Sequence, residues 1–185
     1  MAKLILFLGD LAAGKTTLAE KIAKETNTFC LIKDTLKETL ADDIGFKNRE
    51  ENKKLSVAAV SVMKYAFSKY CLLKKDIILE ANFHKEEIEY FFEKAKTNNY
   101  TFLCFYLQGE IDELYEAFTY RLNYQNRHIA HKTCDITTKD GFSKYLKLSR
   151  DEIANSEIPL ENIVKIQVHN KNYDEIFNQV MKKLQ

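Results

Sequence analysis

The sequence predicts an α/β fold: a five-stranded parallel sheet with helices on both faces. Three observations predict it. Short, nearly continuous apolar runs alternate with stretches of helical periodicity along the chain. The first run, Leu4-Ile5-Leu6-Phe7-Leu8, leads directly into Gly9-Asp10-Leu11-Ala12-Ala13-Gly14-Lys15-Thr16, which is G-x-x-x-x-G-K-[ST] without a mismatch. Residues 17–24 then place Leu18, Ala19, Ile22 and Ala23 at helical spacing.

The elements follow in order. Strand-like segments cover residues 3–8, 28–32, 76–81, 100–107 and 163–168. Each is rich in Ile, Leu, Phe, Val or Cys and almost uninterrupted by polar residues, as strands covered on both faces are. Residues 50–73 carry Leu55, Ala59, Val62, Ala66 and Tyr70 in steps of four and three, an apolar stripe of helical period. Residues 84–97, 110–124, 139–155 and 173–184 also read as helices, and the single proline, Pro159, lies in the connection to the last strand. In such sheets ligands bind outside the carboxyl ends of the strands, which selects the residues to weigh for function.

Residues 9–16 have the chemistry of a phosphate-binding loop. Gly9 and Gly14 let the backbone curl so that successive N–H groups point at phosphate oxygens. Residues 9–17 would contact the nucleotide, with Lys15 reaching the β- and γ-phosphates, the following helix adding its positive end, and the Thr16 hydroxyl ligating Mg²⁺. ATP and Mg²⁺ are therefore the expected cofactors.

Bulk properties narrow the class. A chain of 185 residues, 45% apolar and 30% charged, fits one globular domain over 1–185. Its formal net charge of +1 gives no electrostatic case for a dedicated nucleic-acid or membrane binder, although a local basic groove is compatible with it. Cys30, Cys71, Cys104 and Cys134 show no C-x-x-C pairing, and Cys30 and Cys104 lie in strand-like runs where a thiol behaves as a small hydrophobe. No cleavage site and no apolar stretch of about 18 residues is present, so reduced thiols and a cytoplasmic location are expected.

Four groups of residues stand at strand ends. Asp34 follows the second strand and precedes a helix. It could cap that helix, or it could face the γ-phosphate and deprotonate an attacking hydroxyl. Lys37, one turn on, could hold a substrate anion or lie on a solvated face. Glu80 ends the third strand, where an acid supports Mg²⁺ beside Thr16, whereas Asp76 starts that strand and belongs at the far end of the sheet. Asn82 could orient substrate or serve a turn. In the fourth group, Arg121, Asn126, Arg127, His128, His131 and Lys132 can all donate to anions. Arg121 and Arg127 suit a lid over residues 121–139 that neutralises charge on the transferring phosphoryl group. His128 is read as a substrate or phosphate contact; two histidines three apart without ligand partners make a poor zinc site.

These residues carry a resemblance. The chain is similar to the small P-loop kinases grouped around polynucleotide kinase, chloramphenicol phosphotransferase and the zeta toxins, over roughly residues 3–135. The resemblance implies a three-layer P-loop NTPase fold with a helical lid, and makes Asp34 the general base for the acceptor hydroxyl. Two positions depart from the family's pattern. Polynucleotide kinases carry Asp-x-x-Arg where this chain has Asp34-x-x-Lys37, a point charge without the bidentate fork. Glu80-Ala81-Asn82 stands where Asp-Thr-Asn is common in the group.

The expectation is a cytoplasmic, Mg²⁺-dependent kinase that moves the γ-phosphate of ATP to an acceptor hydroxyl. The balanced charge favours a small molecule or nucleoside over a nucleic-acid 5′ end, with no membrane partner. The alternatives at this point are an acceptor-free ATPase or switch, and an interaction module that binds nucleotide only for stability.

Overall fold

Alternate residues of the first apolar run point to opposite faces, so Leu4, Leu6 and Leu8 enter one core while Ile5 and Phe7 enter another. The computed structural model describes residues 1–124, 127–131, 136–169 and 172–185. Its strands are β1 (Lys3–Gly9), β2 (Phe29–Ile32), β3 (Ile77–Glu80), β4 (Thr101–Gly109) and β5 (Ile163–Val168), all parallel, in the order β2-β3-β1-β4-β5. The helices are α1 (Lys15–Thr26), α2 (Lys33–Ile44), α3 (Arg49–Leu73), α4 (Lys85–Thr97), α5 (Ile111–Tyr124), α6 (Lys139–Ala154) and α7 (Tyr173–Leu184), with short 3₁₀ turns at Ile129–His131 and Leu160–Asn162. The expected strands and helices are all present, with ends shifted by one or two residues.

One core joins Leu4, Leu6, Ile77 and Leu79 to Met63 and Phe67 of α3 and to Ile88 and Phe91 of α4. The other joins Ile5, Phe7, Ile78 and Phe105 to Leu18 and Ile22 of α1, Phe118 of α5, Phe142 of α6 and Val180 of α7. Phe7 and Phe105 stack at 5.3 Å between ring centroids. Burying each such side chain contributes about 1.5–3 kcal/mol, so the sheet is held from both sides.

The α3 stripe differs from its expected course. It holds through Leu55 and Ala59, then continues as Met63, Phe67 and Cys71, while Val62 is exposed and Ala66 and Tyr70 are only partly covered. From Leu55 to Cys71 the buried row Leu55, Ala59, Met63, Phe67 and Cys71 steps by four, with Val60 buried beside it, and such a row is inclined to the helix axis.

Register brings the functional ends together. Glu80 pairs with Phe7 of β1 and with Ile32 of β2, so β2 and β3 finish at one level and β1 runs two residues further to Gly9. Asp76 lies at the opposite end, where its Oδ1 accepts the Lys3 N–H at 2.7 Å. Among the described residues no helix is long and apolar enough to cross a membrane.

Candidate active site

Gly9 leaves the sheet with φ +130°, and a Cβ there would stand 2.0 Å from the Leu107 carbonyl oxygen on β4. Only glycine lets β1 turn this close to its neighbour. Gly14 caps α1 with φ +79° under the ring of Tyr173, whose Cε1 would lie 2.5 Å from an added Cβ. Between these glycines the loop closes on itself. Lys15 Nζ donates to the carbonyls of Gly9 at 3.1 Å and Asp10 at 2.7 Å. Burial lowers the Lys15 pKa, opposed by the charges of Glu80, Asp34 and Asp10.

Next to Lys15, Thr16 Oγ1 donates to Glu80 Oε2 at 3.0 Å. Glu80 is 5% exposed, and burial raises its pKa against the pull of Lys15 and the Thr16 hydrogen bond. A hydroxyl and a buried carboxylate joined at this distance beside a phosphate-loop lysine form an oxygen donor set suited to a hard cation such as Mg²⁺. The curled loop, its two glycines and this pair fit nucleotide and metal together.

The loop opens into a cleft of about 490 Å³. It is lined by Leu11, Ala12, Gly14, Lys15, Thr16 and Thr17 of the loop and α1, by Glu80, Ala81 and Asn82 at the end of β3, and by Asp34 and Lys37 of α2. Arg121 of α5 and Arg127 also line it. Asp34 is solvent-exposed and sits in the first turn of α2; the cap position belongs to Ile32, so the capping role is not the one it takes. Asn82 Oδ1 is buried without a hydrogen-bond partner among the described residues, an acceptor available to a ligand donor.

The structure gives three of the expected site residues particular partners. The Asp10 side chain does not face the cleft: it is wholly buried beneath the loop and paired with Arg150 of α6. Its contribution to the loop is its backbone. His128 is not among the cleft residues; its Nε2 lies 2.9 Å from Asp42 Oδ1 and its Nδ1 accepts the Ala130 N–H, while His131 lines the cleft instead. Lys37 lines the cleft, but its ammonium donates to the Ala130 carbonyl at 3.1 Å, and burial lowers its pKa. Asn126, Lys132 and Cys134, and with them part of the lid segment 121–139, lie outside the described residues.

Other cleft residues escaped sequence reasoning. Lys33, next to Asp34 in sequence, and Arg49, Asn52, Lys53 and Ser56 of α3 also line the cleft. Their spacing of i, i+3, i+4 and i+7 is a signal that places them on one helix face. The cleft thus gathers seven basic side chains, Lys15, Lys33, Lys37, Arg49, Lys53, Arg121 and Arg127, against the carboxylates of Asp34 and Glu80. A net charge of +1 over the whole chain conceals this concentration.

Comparison with known proteins agrees with this architecture. A candidate kinase from Chloroflexus aurantiacus J-10-fl superposes with a TM-score of 0.80 at 22% identity, over 100% of this chain and 99% of that one. Shikimate kinase from Bacteroides thetaiotaomicron gives 0.61 at 15% identity, covering 98% of each chain. A gluconokinase from Sinorhizobium meliloti 1021 gives 0.55 at 12%, covering 98% and 95%. At these identities the likeness establishes the fold, that of the P-loop kinases. Comparison with curated proteins yields no match. The family model for zeta toxins matches residues 2–178, nearly the whole chain including the loop and the sheet, and by that match this chain belongs to the zeta toxin family.

Proposed function

We propose that the chain is a Mg²⁺-dependent phosphotransferase that moves the γ-phosphoryl group of ATP to a hydroxyl of an acceptor bearing an anionic group. The observation that supports this reading is that Asp34 lines the same cleft as Lys15 and the Thr16–Glu80 pair. A site that only held nucleotide would need no second, solvent-exposed carboxylate in the cleft.

In the proposed reaction the loop amides and Lys15 hold the β- and γ-phosphates. Thr16 and Glu80 would hold Mg²⁺, which when bound supplies charge neutralisation on the phosphate oxygens. Asp34 takes the proton of the acceptor hydroxyl as that oxygen bonds to the γ-phosphorus and the bond to the β-phosphate oxygen breaks, leaving ADP. Arg121 and Arg127 neutralise charge spread over the transferring group.

Lys33 and Lys53 lie on the side of the cleft formed by α2 and α3, together with Arg49. Such a group favours an acceptor that brings its own phosphate or carboxylate. The Asn82 Oδ1 acceptor suits a donor on the same molecule, such as a second hydroxyl. Changing Lys15 to Ala is expected to abolish both ATP binding and turnover. Retained turnover in that variant would remove the loop from the mechanism.

A further inference from the structure

The turn Ile129–His131 is fastened to α2 and α3. His128 Nε2 lies 2.9 Å from Asp42 Oδ1, and His131 Nε2 lies 2.9 Å from Glu38 Oε1. Between them Ala130 is 1% exposed and packs against Ala41 and Leu55. Its carbonyl accepts from both Lys37 Nζ and Asn52 Nδ2. Its N–H donates to His128 Nδ1 at 3.1 Å, which leaves the His128 proton on Nε2, directed at Asp42. Arg127, immediately before this turn, lines the cleft.

Asp34, Glu38 and Asp42 are spaced by four along α2 and so share one row of the helix. The first carboxylate of the row faces the cleft, while the next two hold the lid-side turn. We infer that Glu38 and Asp42 are positioning residues: through His131 and His128 they fix Arg127 over the cleft in register with Asp34. The inference rests on the phosphotransfer reading for the role of Arg127. It assigns a purpose to the Arg127-His128-x-x-His131 sequence that contact with substrate does not.

The test is a mutant cycle. Glu38→Ala with Asp42→Ala is expected to lower kcat about ten- to a hundredfold, the cost of a misplaced catalytic group. Equilibrium affinity for ATP·Mg²⁺ should change by less than about twofold, because Lys15 and the loop are untouched. Glu38→Gln with Asp42→Asn, which keep an acceptor for each ring N–H, should restore most of the rate. In an Arg127→Ala background the paired alanines should produce no further fall. Turnover is read both as transfer and as acceptor-free hydrolysis, so a failure of the kinase reading leaves the cycle measurable. Amide exchange needs no turnover: binding of ATP·Mg²⁺ should slow exchange at the Ala130 N–H in the unsubstituted chain and not in Arg127→Ala. Additive losses, an unchanged kcat, a parallel loss of ATP affinity, or exchange at Ala130 indifferent to nucleotide would each overturn the inference.

Discussion

Arg150 grips Asp10 at two points, Nε 3.1 Å from Oδ1 and Nη2 2.6 Å from Oδ2. The same Nη2 donates to the Gly109 carbonyl at 2.7 Å, and Asp10 Oδ2 accepts the Gly109 N–H at 3.0 Å. The phosphate loop, the end of β4 and α6 are thereby tied into one unit. Asp10 is wholly buried, so removing Arg150 would leave its carboxylate buried without a counter-charge.

Arg150→Ala should therefore destabilise the fold by roughly 3 kcal/mol, the lower end for a broken buried pair because a third of the arginine side chain is exposed. Asp10→Asn keeps the shape and one acceptor and should cost less. Urea denaturation of the two variants checks the order, and equal losses would mean that the charge pairing, and not the arginine's packing, carries the whole contribution.

Much of this fold was legible because its signals are local. The phosphate loop, the strand before it and the helix after it are contiguous, and each later strand is a short apolar run. Glu80 and Asp34 were identifiable because each ends or follows a strand. The Asp10–Arg150 pair was not, since its members are separated by 140 residues and an acidic residue inside the loop motif reads as a cleft residue. The course of α3 beyond Ala59 was lost for a different reason. Both Val62 and Met63 suit a helical period, and only packing on the sheet decides between them. The basic cleft was hidden by averaging: its charges come from several elements and cancel against acids elsewhere in the chain.

The two loop glycines should differ in tolerance. A Cβ on Gly9 meets the backbone of Leu107, which cannot retreat without parting β1 from β4. Gly9→Ala is expected to cost at least about 3 kcal/mol and to abolish nucleotide binding. At Gly14 the obstacle is the Tyr173 ring, which can shift, leaving mainly the positive-φ strain of about 1–2 kcal/mol. Thermal melts of both variants check the ranking, and a more damaging Gly14→Ala would contradict it.

Glu80 makes stability depend on pH. Burial raises its pKa above the ordinary 4.5, so the folded chain keeps this proton where the unfolded chain has lost it. Its contribution is then full below pH 4.5 and is lost as pH rises through the folded value. Without Mg²⁺, Glu80→Gln should flatten that slope, its stability relative to the parent improving as pH increases upward from 4.5. Added Mg²⁺·ATP should stabilise the parent more than the Gln variant. A parallel pH profile in the two proteins would show that Glu80 is not the titrating group.

The basic α2–α3 side of the cleft should set acceptor affinity. Lys33→Gln and Lys53→Gln are each expected to raise the acceptor KM about tenfold, as loss of one charge-assisted contact does, with little change in the KM for ATP. The effect should shrink at high salt. An unchanged acceptor KM in both variants would place the anionic group elsewhere.

The central claim is transfer from ATP to an acceptor hydroxyl activated by Asp34. It is tested most directly with ATP labelled in the γ-phosphate, in the presence of Mg²⁺, against nucleosides, nucleotides, sugar phosphates, simple sugars, amphenicol and aminoglycoside alcohols and 5′-hydroxyl oligonucleotides. Acceptor-free hydrolysis is run in parallel. The account predicts a labelled product from an anionic acceptor, and its loss in Asp34→Asn while ATP affinity stays near that of the parent. Hydrolysis alone, indifferent to every acceptor and to Asp34, would contradict the account and make the protein an ATPase.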